Sequence, residues 1–250
     1  MGRERIDKLM VARGLFDSRA RAQAAIAAGG VSVAGRVVDR PSEMVDVDAP
    51  ISAQDVHPYV SRGGLKLAAA LDAFGIDPEG CVALDLGAST GGFTDVLLRR
   101  GARRVYAVDV GHDQFHPLLR DRPEVRLLEG TDARRLTPAL IPEAVDLVVA
   151  DVSFISLALV LPPALALAGP RARLAVLVKP QFEAGPAHLK KGIVRDPAVH
   201  AQVCTRIQGL IEDQGWRVRG IVPSPISGGD GNREFLLGAE RPAQIPAQRP

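Results

Sequence analysis

Residues 81–92 read CVALDLGASTGG. A short apolar run that ends in an aspartate and a cluster of small residues predicts a buried strand feeding a tight turn. Small residues there let a ligand approach the backbone closely. The same form recurs along the chain. RRVYAVDVG (103–111) carries Asp109, VRLLEGTD (125–132) ends in Asp132, VDLVVADVS (145–153) carries Asp151, and RLAVLVKP (173–180) carries Lys179. Helical patterns separate the strands, among them those around 157–168 and 197–214. Strands alternating with helices predict an α/β fold with a mostly parallel, doubly wound sheet. Only a loop separates the last two strands, WRVRGIV (216–222) and REFLLGAE (233–240), so they are expected to pair antiparallel.

The start of the chain follows another pattern. Residues 4–12 and 18–28 read as two short helices, and VSVAGRVV (31–38) as a hairpin around an Ala-Gly turn. VDVDAPISA (45–53) is a further strand pattern. A module of this size, below about 60 residues, has a marginal core. The expected division is a domain at 1–55, a linker at 56–63, the α/β domain at 64–240 and a disordered Pro-rich tail at 241–250. Residues 1–40 hold eight Lys/Arg against four acids, although the whole chain is only +2. Arg5, Lys8, Arg13, Arg19 and Arg21 can form a basic face there. Such a face supplies phosphate contacts, which give affinity and position but no base specificity.

Two cysteines, Cys81 and Cys204, form no disulfide framework and no zinc pattern, and no metal is expected. MGRERIDKLM has no apolar core of signal-peptide length. The greasy run FISLALVLPPALALAG (154–169) is broken by Pro162-Pro163 and is shorter than the roughly 20 residues of a span. A cytoplasmic protein without stable membrane association is the expectation.

Ligands of open α/β sheets sit beyond the carboxyl ends of the strands. Those ends carry Asp85, Gly87, Ser89, Thr90, Gly91 and Gly92, then Asp109, then Asp132 and Ala133, then Asp151 and Lys179. The loop is G-x-x-x-G-G and not the G-x-G-x-x-G of a dinucleotide site. An acid at its start repels phosphate but suits a ligand with ammonium and sulfonium groups. D-x-G-x-x-x-G, with Asp109 placed to accept ribose hydroxyls, resembles the S-adenosylmethionine (AdoMet) site of Rossmann-like methyltransferases.

Lys66, Asp151, Lys179 and Glu234 form a candidate catalytic set. Lys66 and Glu234, taken singly, read as a solvated helix lysine and a surface strand residue. As a set they suit methylation of a ribose 2′-hydroxyl, which is a poor nucleophile near neutral pH. A buried lysine near a second ammonium can take its proton, and flanking carboxylates can orient the groups.

SRGGLKL, DLGASTGGFTDVLL, VADVSFISL, VLVKPQFEAG and GNREFLL together resemble the TlyA family of rRNA methyltransferases, also called hemolysin A, whose catalytic domain is FtsJ-like. RIDKLMVARGLFDSRARAQAAIAAGGVSVAGRVV (5–38) is similar to that family's ribosomal-protein-S4-like RNA-binding domain. The resemblance spans about residues 3–240. It implies AdoMet-dependent 2′-O-methylation of cytidine in rRNA, with rRNA or ribosomal subunits as partner. It puts the Lys-Asp-Lys-Glu tetrad on Lys66, Asp151, Lys179 and Glu234. The AdoMet loop falls on Asp85 to Gly92 and the acidic ribose contact on Asp109. Three alternatives remain at this level: a membrane-active cytolysin, a non-catalytic RNA-binding assembly factor, and methylation of a base, against which the stretch after the fourth strand reads Asp151-Val-Ser-Phe154 and not an Asn/Asp-Pro-Pro-aromatic loop. The loop FEAGPAHLKKGIVRD (182–196) is expected to be a mobile flap.

Overall fold

The computed structural model describes residues 2–16, 18–27, 29–53, 57–228 and 231–242. The chain divides into two units, Met1–Pro58 and Tyr59–Pro250. The division falls inside the stretch expected to be the linker.

The first unit runs β1 (Arg3–Arg5), α1 (Ile6–Ala12), α2 (Arg19–Ala27), β2 (Val31–Val33), β3 (Arg36–Val37), β4 (Met44–Asp46) and β5 (Ile51–Ala53). The hairpin at 31–38 forms as β2–β3, with Ala34 and Gly35 at φ 49° and 81° in its turn. Residues 4 and 5 were expected to begin a helix, but with Arg3 they form β1, which pairs antiparallel with β4. A partner some forty residues away gives no local signal. The expected strand at 45–53 is two strands in two different sheets. Ile6, Leu9, Met10, Ala22, Ala25, Ile26 and Val31 close the small core.

The second unit runs α3 (Gly63–Phe74), β6 (Val82–Leu86), α4 (Gly92–Arg99), β7 (Arg104–Val108), α5 (Pro117–Arg120) and β8 (Val125–Leu128). It continues with β9 (Val145–Ala150), α6 (Leu157–Ala166), β10 (Ala168–Val178), α7 (Pro180–Glu183), α8 (Pro197–Asp213), β11 (Arg217–Pro223) and β12 (Phe235–Glu240). The strand order is β11-β12-β10-β9-β6-β7-β8. β6 to β10 are parallel, and β12 lies antiparallel to both β10 and β11, as expected.

From β6 the chain moves to β7 and β8 on one side, then returns to β9 and β10 on the other. The switch point therefore lies between β6 and β9, where an open sheet leaves a crevice at its carboxyl edge. β6 is buried along its whole length. Its alternate residues face two cores. Val82, Leu84 and Leu86 pack with α6 and α8 residues, and Ala83 packs with Leu67, Leu71, Phe93 and Leu97 of α3 and α4.

Two further expectations need adjusting. Arg241, placed in the disordered tail, donates its N–H to Ala172 O at 2.8 Å; the remaining tail, 243–250, lies outside the described residues. The segment 182–196 is tied down at several points. Asn232, which is buried, accepts from Val194 N at 3.1 Å and donates to Gly192 O at 2.9 Å. The buried His200 ring nitrogen Nε2 lies 3.0 Å from Val194 O.

Candidate active site

The turn after β6 is built on glycine. Gly87 has φ 78°, and a Cβ there would stand 2.8 Å from the carbonyl oxygen of Asp151. A side chain would therefore push β6 and β9 apart at the crevice. Gly91 has φ 90°, stands just before α4 as its N-cap, and lies against Phe115 and Leu119. Ser89 takes a positive φ of 46° without being glycine, and its N–H donates to Asp109 Oδ2 at 2.7 Å. The other Asp109 oxygen accepts from Gly111 N at 2.7 Å. The loops after β6 and β7 are thus joined through one carboxylate.

A cavity of about 400 Å³ opens at this edge. Its walls include Gly87, Ser89, Asp109, Asp132, Ala133, Asp151, Phe154 and Val160. Asp132 caps the turn that follows β8 and pairs with Arg134 at 2.6 Å, which lowers its carboxyl to about 2. Asp85, Thr90, Gly91 and Gly92 shape the turn without lining the cavity.

Asp85 is fully buried. Thr94 Oγ1 donates to its Oδ2 at 2.7 Å, while its Oδ1 has no partner among the described residues. Burial, with the Asp151 and Asp109 charges adding to it, pushes the carboxyl up to about 7. A cationic ligand would relieve that cost. A buried carboxylate oxygen with no partner among the described residues, beside a glycine cradle, suits a ligand with an ammonium group, so the residues fit AdoMet.

The tetrad forms two ion pairs. Lys179 Nζ, at the end of β10, lies 2.6 Å from Asp151 Oδ1 and donates to Ser153 Oγ at 2.8 Å. Lys66, on the first turn of α3, donates to Glu234 Oε2 at 2.5 Å. Lys66, Lys179 and Glu234 are all at most 8% exposed. Burying charges is tolerable only because each lysine meets its own carboxylate. The pairs meet through α3: a Cβ on Gly63 would lie 3.8 Å from Asp151 Oδ2, and Lys66 is three residues on, on the same helix face. Gly228 crowds Glu234 from the other side, where a Cβ would stand 2.6 Å from Oε1.

Ser153 and Phe154 escaped the sequence reading. Phe154 is 90% exposed and holds φ 63°, a costly conformation for a bulky residue. Its ring centroid is 5.0 Å from that of Phe182, and Lys179 Nζ lies 5.8 Å from the Phe182 centroid. No sequence pattern marks a positive φ at a phenylalanine.

In the N-terminal unit, Arg5 and Arg19 both bind the fully buried Asp7, and Gln23 donates to the same carboxylate at 2.8 Å. Arg13 donates to the carbonyls of Val47 and Ala49. Lys8 is exposed and Arg21 half-buried. Arg5, Arg13 and Arg19 therefore have structural partners within the unit, with 38% of the Arg5 side chain and 50% of Arg19 still exposed.

A Rossmann-like sheet, a glycine turn under a carboxylate-ringed crevice and two buried Lys–carboxylate pairs beside it define an AdoMet-dependent methyltransferase. The chain belongs to the FtsJ-like methyltransferase family, which it matches over residues 59–241, and it carries an S4 domain over residues 4–51. It is 45% identical to YqxC of Bacillus subtilis over 97% of this chain and 87% of that one. It is 44% identical to the 16S/23S rRNA (cytidine-2′-O)-methyltransferase TlyA of Mycobacterium tuberculosis, over 94% of this chain and 89% of that one. A solved Streptococcus thermophilus structure that bears the hemolysin name superposes with a TM-score of 0.77 at 40% identity, covering 99% of this chain and 93% of that one. No described helix is long and apolar enough to cross a membrane.

Proposed function

We propose that this protein methylates the 2′-oxygen of a ribose in ribosomal RNA, with cytidine as the target nucleoside. The observation that carries the reading is the buried set Asp151–Lys179 and Lys66–Glu234 at the carboxyl edge of the sheet, beside the glycine cradle. AdoMet supplies an electrophilic methyl group on a sulfonium. Gly87 leaves room for it, the Asp109 carboxylate on the cavity wall is assigned to the ribose hydroxyls, and Asp85, buried beneath that wall with an unpartnered oxygen, supplies negative charge for the ammonium group.

The other residues act on the nucleophile. Lys179, fixed by Asp151 and Ser153, is assigned to the 2′-oxygen, where as the neutral amine it would take the hydroxyl proton as the oxygen bonds to the methyl carbon and S-adenosylhomocysteine leaves. Lys66, fixed by Glu234, places a second positive charge where the oxygen gains negative character. The exposed face of Phe154, steadied by Phe182, offers a surface on which the target base can stack once it leaves its helix. The N-terminal domain supplies phosphate contacts through Lys8 and the exposed parts of Arg5 and Arg19, which fits a structured RNA partner in the cytoplasm.

Replacing Phe154 with Ala tests the stacking surface. KM for ribosomal subunits is expected to rise about tenfold, matching the roughly 1–3 kcal/mol of a base–aromatic stack. AdoMet affinity is expected to stay unchanged; an unaltered KM would count against the stack.

A further inference from the structure

The end of the sheet opposite the catalytic edge carries a cavity of about 490 Å³, with Arg171, Arg173, Arg217, Arg241 and a single acid, Glu240, among its walls. The arginines are set by strand register. Arg173, Glu240 and Arg217 stand directly opposite one another across β10, β12 and β11. Arg217 and Arg219 share the Glu240 carboxylate. Arg241 is spent on structure, donating to Ala168 O at 2.6 Å and Leu165 O at 3.2 Å over the Trp216 ring.

The remainder is unbalanced. The pairing of β10 with β9 shifts between Ala168 and Arg173, and Arg171 sits exposed in that irregular stretch. A bulge re-aims the side chains it carries. Among the described residues, Arg171 has no ion-pair partner and Arg173 donates only to Cys81 Sγ. All the cations are arginines, whose planar forks match phosphate oxygens, and Arg171, Arg173 and Arg217 lie on β10 and β11. Among the described residues Arg171 therefore has no ion pair that would stabilise the fold, and the cavity wall sets four arginines against one acid. Charge complementarity favours a polyanion.

We propose that this surface is a second RNA-docking site, which binds phosphodiesters of a ribosomal RNA segment distinct from the one that presents the target ribose. The proposal rests on the rRNA reading above. The site contributes affinity and orientation and takes no part in methyl transfer.

The test compares wild type, Arg171→Ala/Arg217→Ala and Arg171→Lys/Arg217→Lys, each checked for an unchanged Tm. Tritiated methyl transfer gives kcat and KM on ribosomal subunits, and filter binding gives affinity against salt on subunits and on protein-free rRNA. The alanine pair is expected to raise KM about tenfold at constant kcat, to bind AdoMet normally, and to flatten the salt slope by about one to two. The lysine pair should recover most of the loss. Wild-type KM and salt slope in the alanine pair would overturn the proposal. So would a binding defect seen on intact subunits but absent on protein-free rRNA, which would point to a ribosomal protein. If wild type itself transfers no methyl group, the rRNA reading fails, while the binding arm still reads the arginine surface.

Discussion

At the residue scale, Asp85 has the most distinctive chemistry. Its carboxyl is raised from 3.8 to about 7 by burial, so the empty folded state holds a proton that the unfolded chain has lost. That group's contribution to stability is present below pH 3.8 and fades as the pH rises through about 7. A cationic ligand prefers the ionised form, so AdoMet affinity should rise with pH over the same interval, with proton uptake by buffer visible in calorimetry. Asp85→Asn should abolish the pH dependence and weaken binding; an unchanged pH profile would remove Asp85 from the cofactor site. Gly87→Ala should be among the most damaging small substitutions. It combines a strained φ, worth roughly 1–3 kcal/mol, with a clash against the Asp151 carbonyl. Methyl transfer should fall by tenfold or more, and normal turnover would mean that Asp151 need not stay where it is. Both residues were legible in DLGASTGG as candidates. What the sequence could not reveal was that Asp85 lies beneath the cavity wall and Asp109 on it. That distinction arises from which face of β6 looks at α4.

At the element scale, the parallel strands were legible because each is a continuous apolar run with a polar residue at its carboxyl end. β1 was not, because a three-residue strand exists only through its partner, and β4 was read only as part of one strand running on to β5. The pairing within the tetrad was also hidden, since Lys66 and Glu234 are separated by most of the chain and meet only when α3 packs beside β12. α1 and α2 are joined by Asp7, which binds Arg5, Arg19 and Gln23. Its carboxyl is held well below the usual range, chiefly by the Arg5 hydrogen bond, and by Arg19 and Gln23. The stability it confers is therefore present at neutral pH and declines as the pH falls below 3.8. Asp7→Ala should destabilise the N-terminal unit by about 2 kcal/mol, the scale of hydrogen bonds to charged groups. Thermal unfolding above and below pH 3.8 would check it, and an equal loss at both would exclude the ionic explanation.

At the scale of the whole molecule, two units serve two tasks. One is the small N-terminal unit, whose basic excess lies within residues 1–40, and the other holds the sheet with the cofactor crevice. Tyr59 and Val60 belong with the sheet: Val60 N donates to Asp95 Oδ2 at 2.8 Å, and Gly64 is packed on the Tyr59 ring. A fragment beginning at Tyr59 should therefore bind AdoMet like the full chain, while its affinity for rRNA falls and becomes less salt-dependent. Full RNA affinity in that fragment would deny the first unit its role. The central claim is that Lys179 serves transfer of a methyl group to a ribose oxygen of rRNA. It is tested most directly by nucleoside mass spectrometry of rRNA incubated with the protein and deuterated-methyl AdoMet. The wild-type protein should yield labelled 2′-O-methylcytidine, and Lys179→Ala, still binding AdoMet, should yield none. A label found on a base, or undiminished in the Lys179→Ala product, would contradict the account.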